Sequence, residues 1–133
     1  MSEAEQLLAL HMRAEGLQFV AEYRFGAEAC GGAGKGLRAR LEAAGLKDWR
    51  ADFYLPGSKL LIEVEGITSF GRTKSGKMAL GRHQTAKGME EDLRKYDCAM
   101  RLGYTVYRCS QAMVKSGRAI ESIKLLDAMA IGG

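Results

Sequence analysis

The sequence predicts a single α/β domain, a mixed sheet flanked by helices in the order α-β-(α)-β-β-α-β-α. Three observations predict it. The chain has 133 residues, room for one ordinary domain and too few for two. Two short apolar runs meet at Pro56-Gly57-Ser58, as the strands of a hairpin do. Downstream of them a long helical pattern alternates with a strand-like run and a second helix.

Each element has a local reason. Residues 3–15 read as a helix: Ser2 caps it, Glu5 completes an S-x-x-E capping box, and Leu7, Leu8 and Ala14 mark an apolar side. Gln18 to Phe25 alternates aromatic and polar residues as a strand does. Arg38 to Ala44 reads as a short helix ended by Gly45. The strands Arg50–Leu55 and Lys59–Glu65 follow. From about Thr85 to Leu102 an amphipathic helix carries Met89, Leu93, Tyr96 and Met100 at helical spacing, with Gly103 as its stop. Tyr104–Cys109 is a short strand, and Arg118–Met129 a last helix presenting Ile120, Ile123 and Leu126.

Composition narrows the class. Hydrophobic residues make up 47% and charged residues 27%, which excludes a disordered or fibrous chain. No apolar run approaches the ~20 residues of a membrane span. The start, MSEAEQLL, has no signal-peptide pattern, and three cysteines (Cys30, Cys98, Cys109) without a CxxC pair point to reduced thiols in a cytoplasm. They exclude a disulfide framework and a zinc ribbon, and two histidines exclude a histidine-rich metal cage.

The net charge of +4 is unevenly spread. Residues 66–88 hold Arg72, Lys74, Lys77, Arg82 and Lys87 with no acid, interspersed with Gly66, Gly71, Gly76, Gly81 and Gly88. Without them the chain would be slightly acidic. This stretch reads as a mobile basic loop suited to a phosphate backbone; the plain alternative is a solvated loop that happens to be basic. Gly31-Gly32-Ala33-Gly34-Lys35-Gly36 is not a phosphate loop, because Gly36 stands where the motif needs Ser or Thr.

The hairpin aligns carboxylates. With Gly57-Ser58 as a two-residue type II′ turn, Phe53 faces Ile62, Ala51 faces Val64 and Leu55 faces Leu60, all six on one apolar face. The other face then carries Asp52 opposite Glu63, with Glu65 two residues on. Directly opposed positions lie about 4.5–5.5 Å apart at Cβ, so like charges there repel unless a cation intervenes. Mg²⁺ suits such an oxygen-only donor set, and Mn²⁺ is the natural substitute. The alternative is the ordinary solvent face of an antiparallel hairpin. An acid cluster beside a basic strip favours metal-assisted phosphodiester cleavage.

On these residues the chain resembles the PD-(D/E)xK superfamily, the restriction-endonuclease-like fold. Glu5 in the first helix, Asp52 on one strand and Glu63-Val64-Glu65 on the next follow its pattern in order. The runs DFYLPGSKLLIEVEG, GRHQTAKGMEEDLRKYD and LGYTVYR are similar to small phage-encoded endonucleases related to the very-short-patch-repair nucleases. The resemblance covers about residues 2–115. It implies a Mg²⁺-dependent DNA endonuclease acting by in-line attack of a metal-activated water, with 5′-phosphate and 3′-hydroxyl products.

Residue by residue, the resemblance makes Asp52 and Glu63 metal ligands, the Val64 carbonyl a further ligand, and Glu5 a catalytic acid from the first helix. Glu65 departs from the usual lysine; a carboxylate there would orient or deprotonate the attacking water. Lys95 is a candidate for the missing lysine, Lys87 competes with it, and Asp92 lies beside it. Arg82 and His83, before the long helix, are placed to hold the scissile phosphate, or His83 to protonate the leaving oxygen. His11 is read as structural. DNA is the expected partner, through Arg72, Lys74, Lys77, Arg82, His83 and Lys87. Compact members of this fold often act as dimers on branched DNA, so a homodimer and a Holliday-junction or branched-DNA resolvase stay open. So does a DNA-binding module without catalysis. A metabolic enzyme is disfavoured by the basic loop.

Overall fold

The computed structural model describes residues 1–66 and 86–132. Helix α1 (Glu3–Ala14) is closed at its start by the expected capping box: the Glu5 N–H donates to Ser2 Oγ at 3.2 Å, and the Ser2 N–H donates to the Glu5 carboxylate at 2.8 Å. There follow β1 (Val20–Tyr23), α2 (Phe25–Ala29), α3 (Leu37–Ala44), β2 (Ala51–Leu55), β3 (Leu60–Glu65), α4 (Ala86–Arg101), β4 (Thr105–Ser110), α5 (Gln111–Lys115) and α6 (Arg118–Gly132). The fold is the predicted single α/β domain. The sheet runs in the order β1-β2-β3-β4, with the first two pairings antiparallel and β3–β4 parallel. Parallel neighbours require a crossover, and α4 lies in it. Among the described residues no helix is long and apolar enough to cross a membrane.

Two apolar layers sandwich the sheet. Phe53, Leu55, Leu60, Ile62, Val64 and Cys109 pack with Leu8 and Met12 of α1, Val114 of α5 and Ile120 and Ile123 of α6. Ala51, Tyr54 and Leu61 pack with Phe25 of α2 and Ala99 of α4, backed by Tyr23, Trp49 and Tyr104. The second layer is held partly by aromatic contacts, with Tyr23 stacked on Tyr54 at 4.1 Å between centroids and Tyr104 edge-on to Tyr54 at 5.4 Å.

The structure departs from the sequence reading at five places. The strand expected over Gln18–Phe25 is four residues long, because Phe25 turns into the short α2. Within it, Ala21 packs in the first layer and Tyr23 in the second, although strand residues two apart normally share a face. Glu22 between them has φ 51, and that left-handed residue turns the chain over. The short helix α5 separates β4 from α6 where no element was expected.

In the hairpin, Phe53 pairs with Ile62 and Leu55 with Leu60 as predicted. The loop, however, spans residues 56–59, and its left-handed residue is Lys59 at φ 53 rather than Gly57, so it is not a type II′ turn. Its Lys59 N–H donates to the Pro56 carbonyl at 3.4 Å. Four loop residues preserve the register a two-residue turn would give. Ala51 leaves the predicted apolar face and packs in the second layer.

The fifth difference is α4. Met89, Leu93 and Met100 are exposed, while Gly88, Asp92 and Ala99 face the protein. A helix leaning on a sheet beside an acidic centre buries its small and charged residues there, and its large apolar side chains are turned outward.

Candidate metal centre

The ladder between β2 and β3 gives way at Asp52. Beyond the Phe53–Ile62 pair, the Val64 N–H donates to Asp52 Oδ2 at 2.7 Å, so a side chain takes the backbone donor. The Asp52 carboxylate is thereby held at the end of the β2–β3 pairing. Glu22, flanked by the Ala21–Phe53 and Tyr23–Ala51 pairs, sits across from Asp52 on β1. Glu5 comes in from α1, oriented by its capping box. One carboxylate oxygen from each of Glu5, Glu22 and Asp52 lies within 4.8 Å of the others.

Glu63 lies beside Asp52, hydrogen-bonded to its side chain. It forms an ion pair with Lys95 of α4, and the two side chains are only 13% and 18% exposed. Glu65 accepts a hydrogen bond from Arg108 Nε at 2.7 Å. The parallel register places Arg108 beside Glu63 on β4, and its guanidinium lies over the Tyr96 ring, 4.7 Å from the centroid. An open cavity of about 320 Å³ is lined by Asp52, Glu63, Val64, Glu65, Asp92, Lys95 and Tyr96.

The electrostatics follow from burial and crowding. Burial pushes the Asp52 carboxyl up to about 8, and Glu63 and Glu5 push in the same direction, while the Val64 N–H pulls it down. Burial also raises the Glu63 carboxyl, against the pull of Lys95. Tyr96 is raised far out of its usual range by burial and by the neighbouring Glu63. These acids are hard oxygen donors crowded closely enough to resist ionising together. That donor set fits a divalent cation such as Mg²⁺.

Of the residues singled out in the sequence, Glu5, Asp52, Glu63, Glu65 and Lys95 come together here. Asp52, Glu63 and Glu65 line one cavity, as the hairpin alone predicted, and a hydrogen bond joins the Asp52 and Glu63 side chains. From there Asp52 also lies within reach of Glu5 of α1, and Glu63 also pairs with Lys95 of α4. Val64 is engaged through its N–H, and it lines the cavity. Lys87 is exposed on the first turn of α4. Arg72, Lys74, Lys77, Arg82 and His83 lie outside the described residues.

The sequence reading missed Glu22, Arg108 and Tyr96. Glu22 had no local signal, because residues 24–50 separate β1 from β2 and no tight turn fixes their register. Arg108 was visible in the run GYTVYR, but its place opposite Glu63 depends on the parallel pairing across α4.

No protein-family model matches the sequence, and no curated protein matches it. Among solved structures, the chain is similar to the homing endonuclease I-Bth0305I catalytic domain. The TM-score is 0.58 at 17% sequence identity, over 98% of this chain and 99% of that one. At that identity the likeness is one of fold, and over nearly its whole length this chain has the fold of an endonuclease catalytic domain.

Proposed function

We propose that the protein is a metal-dependent DNA endonuclease that hydrolyses phosphodiester bonds by in-line attack of water. The observation that carries this reading is the convergence of Glu5, Glu22, Asp52 and Glu63 at the open end of the sheet, with Lys95 and Arg108 beside them. The shared fold with an endonuclease catalytic domain supports it. Glu5, Glu22 and Asp52 are the residues that would hold Mg²⁺, or Mn²⁺ in its place, with Glu63 and the Val64 carbonyl as the further ligands of the sequence pattern. Bound there, the ion would supply a Lewis acid for the phosphoryl oxygen and lower the pKa of a water.

The chain's own groups do the rest. Val64 N–H fixes the Asp52 carboxylate, and Lys95 fixes that of Glu63. Glu65, hydrogen-bonded to Arg108, is the acceptor for the water's proton. Lys95 and Arg108 supply the positive charge that the usual lysine would bring to the phosphate in the transition state. Arg72, Lys74, Lys77, Arg82 and Lys87 engage the DNA backbone, and His83 holds the scissile phosphate or protonates the leaving oxygen.

The test is cleavage of labelled single-stranded, duplex, nicked, flap and four-way-junction DNA, in Mg²⁺, Mn²⁺ or EDTA, with Asp52→Asn alongside. Metal-dependent cutting that the variant loses, by at least about 100-fold with DNA binding kept, is the expected result. The preferred substrate would name the task. Binding with no cutting of any substrate would reduce the protein to a DNA-binding module.

A further inference from the structure

We propose that the cavity beside the metal centre holds one unpaired nucleotide of a DNA strand, with its base stacked on Trp49. The inference takes its ligand class from the nuclease reading and gives a role to a residue which that reading leaves unused. Trp49 is the chain's only tryptophan. It is half-buried, and it lines the cavity together with Asp52, Glu63 and Glu65. Its ring is braced from behind: Phe25, 1% exposed, stacks on it with the planes 19° apart and the centroids 6.2 Å apart. Its backbone is pinned as well. The Trp49 carbonyl accepts the Gly26 N–H at 3.3 Å, and a Cβ at Gly26 would lie 3.0 Å from the Trp49 nitrogen. Helix α2 therefore fixes both the backbone and the ring, and little freedom remains to be lost when a flat ligand lands there.

Size and chemistry select the occupant. A cavity of about 320 Å³ is at the small end of ligand sites, with room for one nucleotide and not for a stacked base pair. An aromatic wall beside hard oxygen donors suits a ligand that is flat at one end and anionic at the other. A base meets the first, and a phosphate bridged to the carboxylates by the metal ion meets the second. Arg50, next in the chain, is exposed, lines the same cavity and approaches Glu22 to 3.9 Å, so a cation is at hand for a flanking phosphate. Tyr96 also lines the cavity, but Lys95 and Arg108 already lie against its ring, which leaves Trp49 as the stacking surface. A base inside a duplex keeps both faces covered, so the nucleotide that reaches Trp49 is one outside the stack.

The experiment titrates Asp52→Asn, which holds DNA uncut, in Mg²⁺ with three labelled duplexes: fully paired, carrying one unpaired thymidine, and carrying an abasic residue in its place. Anisotropy of the label reports binding, and the fluorescence of Trp49 reports stacking. The unpaired thymidine is expected to quench Trp49 and to bind at least about fivefold more tightly than the abasic duplex, which should quench little, as should the paired one. Adding Trp49→Tyr should keep the preference and adding Trp49→Leu should abolish it, with circular dichroism as a check of folding. Should the leucine variant unfold, the thymidine and abasic duplexes decide alone. DNA that binds without quenching Trp49, or that quenches it equally on all three duplexes, overturns the subsite and leaves the nuclease reading standing. Quenching by the unpaired thymidine, in a protein whose parent cuts no DNA, keeps the subsite and removes the nuclease. Failure to bind any of the three overturns both.

Discussion

Asp52 is the residue on which most depends. Its carboxyl titrates near 8 in the folded chain against an ordinary value of 3.8, so between these pH values the folded state holds a proton that the unfolded state has lost. Stability without metal therefore falls as pH rises through that window and levels off above it. Asp52→Asn should remove the slope, leaving the variant about 1–2 kcal/mol more stable than the parent above the window and equal to it below. Chemical denaturation at several pH values in EDTA checks this. Adding Mg²⁺ should raise the melting temperature of the parent and not of the variant, because only the parent retains the charge that binds it. At Lys95 the expectation is opposite. Lys95→Met strands a poorly exposed Glu63, costing about 1–3 kcal/mol, with the loss largest above the carboxylate range and smallest where Glu63 is protonated. Asp52, Glu63 and Glu65 were legible because a strand fixes side-chain alternation locally. Glu22 was not, since its partner in space is set by a long connection.

At the scale of elements, the short helix α2 anchors the entry to β2. A Cβ added at Gly26 would lie 1.9 Å from the Lys47 carbonyl oxygen, and the Gly26 N–H donates to the Trp49 carbonyl at 3.3 Å. Backbone this close cannot yield as a side-chain tip can. Gly26→Ala should cost about 2–4 kcal/mol in equilibrium unfolding. It should also weaken metal binding, since the displaced segment leads directly into Asp52. Nothing in the sequence marked Gly26, because glycine's tight approach is to residues two elements away. Helices with strong local punctuation were read well: the Ser2 box starts α1, and Gly45 and Gly103 take left-handed conformations at or just past helix ends. For α4 the pattern located the helix and misdirected its orientation. Amphipathic spacing states which residues share a side; it does not state whether that side meets the sheet or a partner.

For the whole molecule, charge is arranged by position along the chain. Residues 1–65 carry an acidic excess, and the basic excess lies beyond them. DNA affinity should fall steeply with salt, and replacing Arg72, Lys74 and Lys77 with Gln should flatten the log–log slope by about one unit per residue. Titrating labelled duplex at several salt concentrations measures it; an unchanged slope would remove those residues from the interface. The overall class was legible because one hairpin, one long helix and a following strand leave few topologies. The parallel closure was not, for it pairs residues joined only through residues 66–104. That closure bears on the chain as it is made. Glu63 and Glu65 leave the ribosome before Lys95 and Arg108, so the nascent hairpin carries two carboxylates whose ion-pair partners have yet to be translated. The fourth strand, slotting beside the third, then brings Arg108 to Glu65, so among the described strands the last to emerge delivers a cation to the centre.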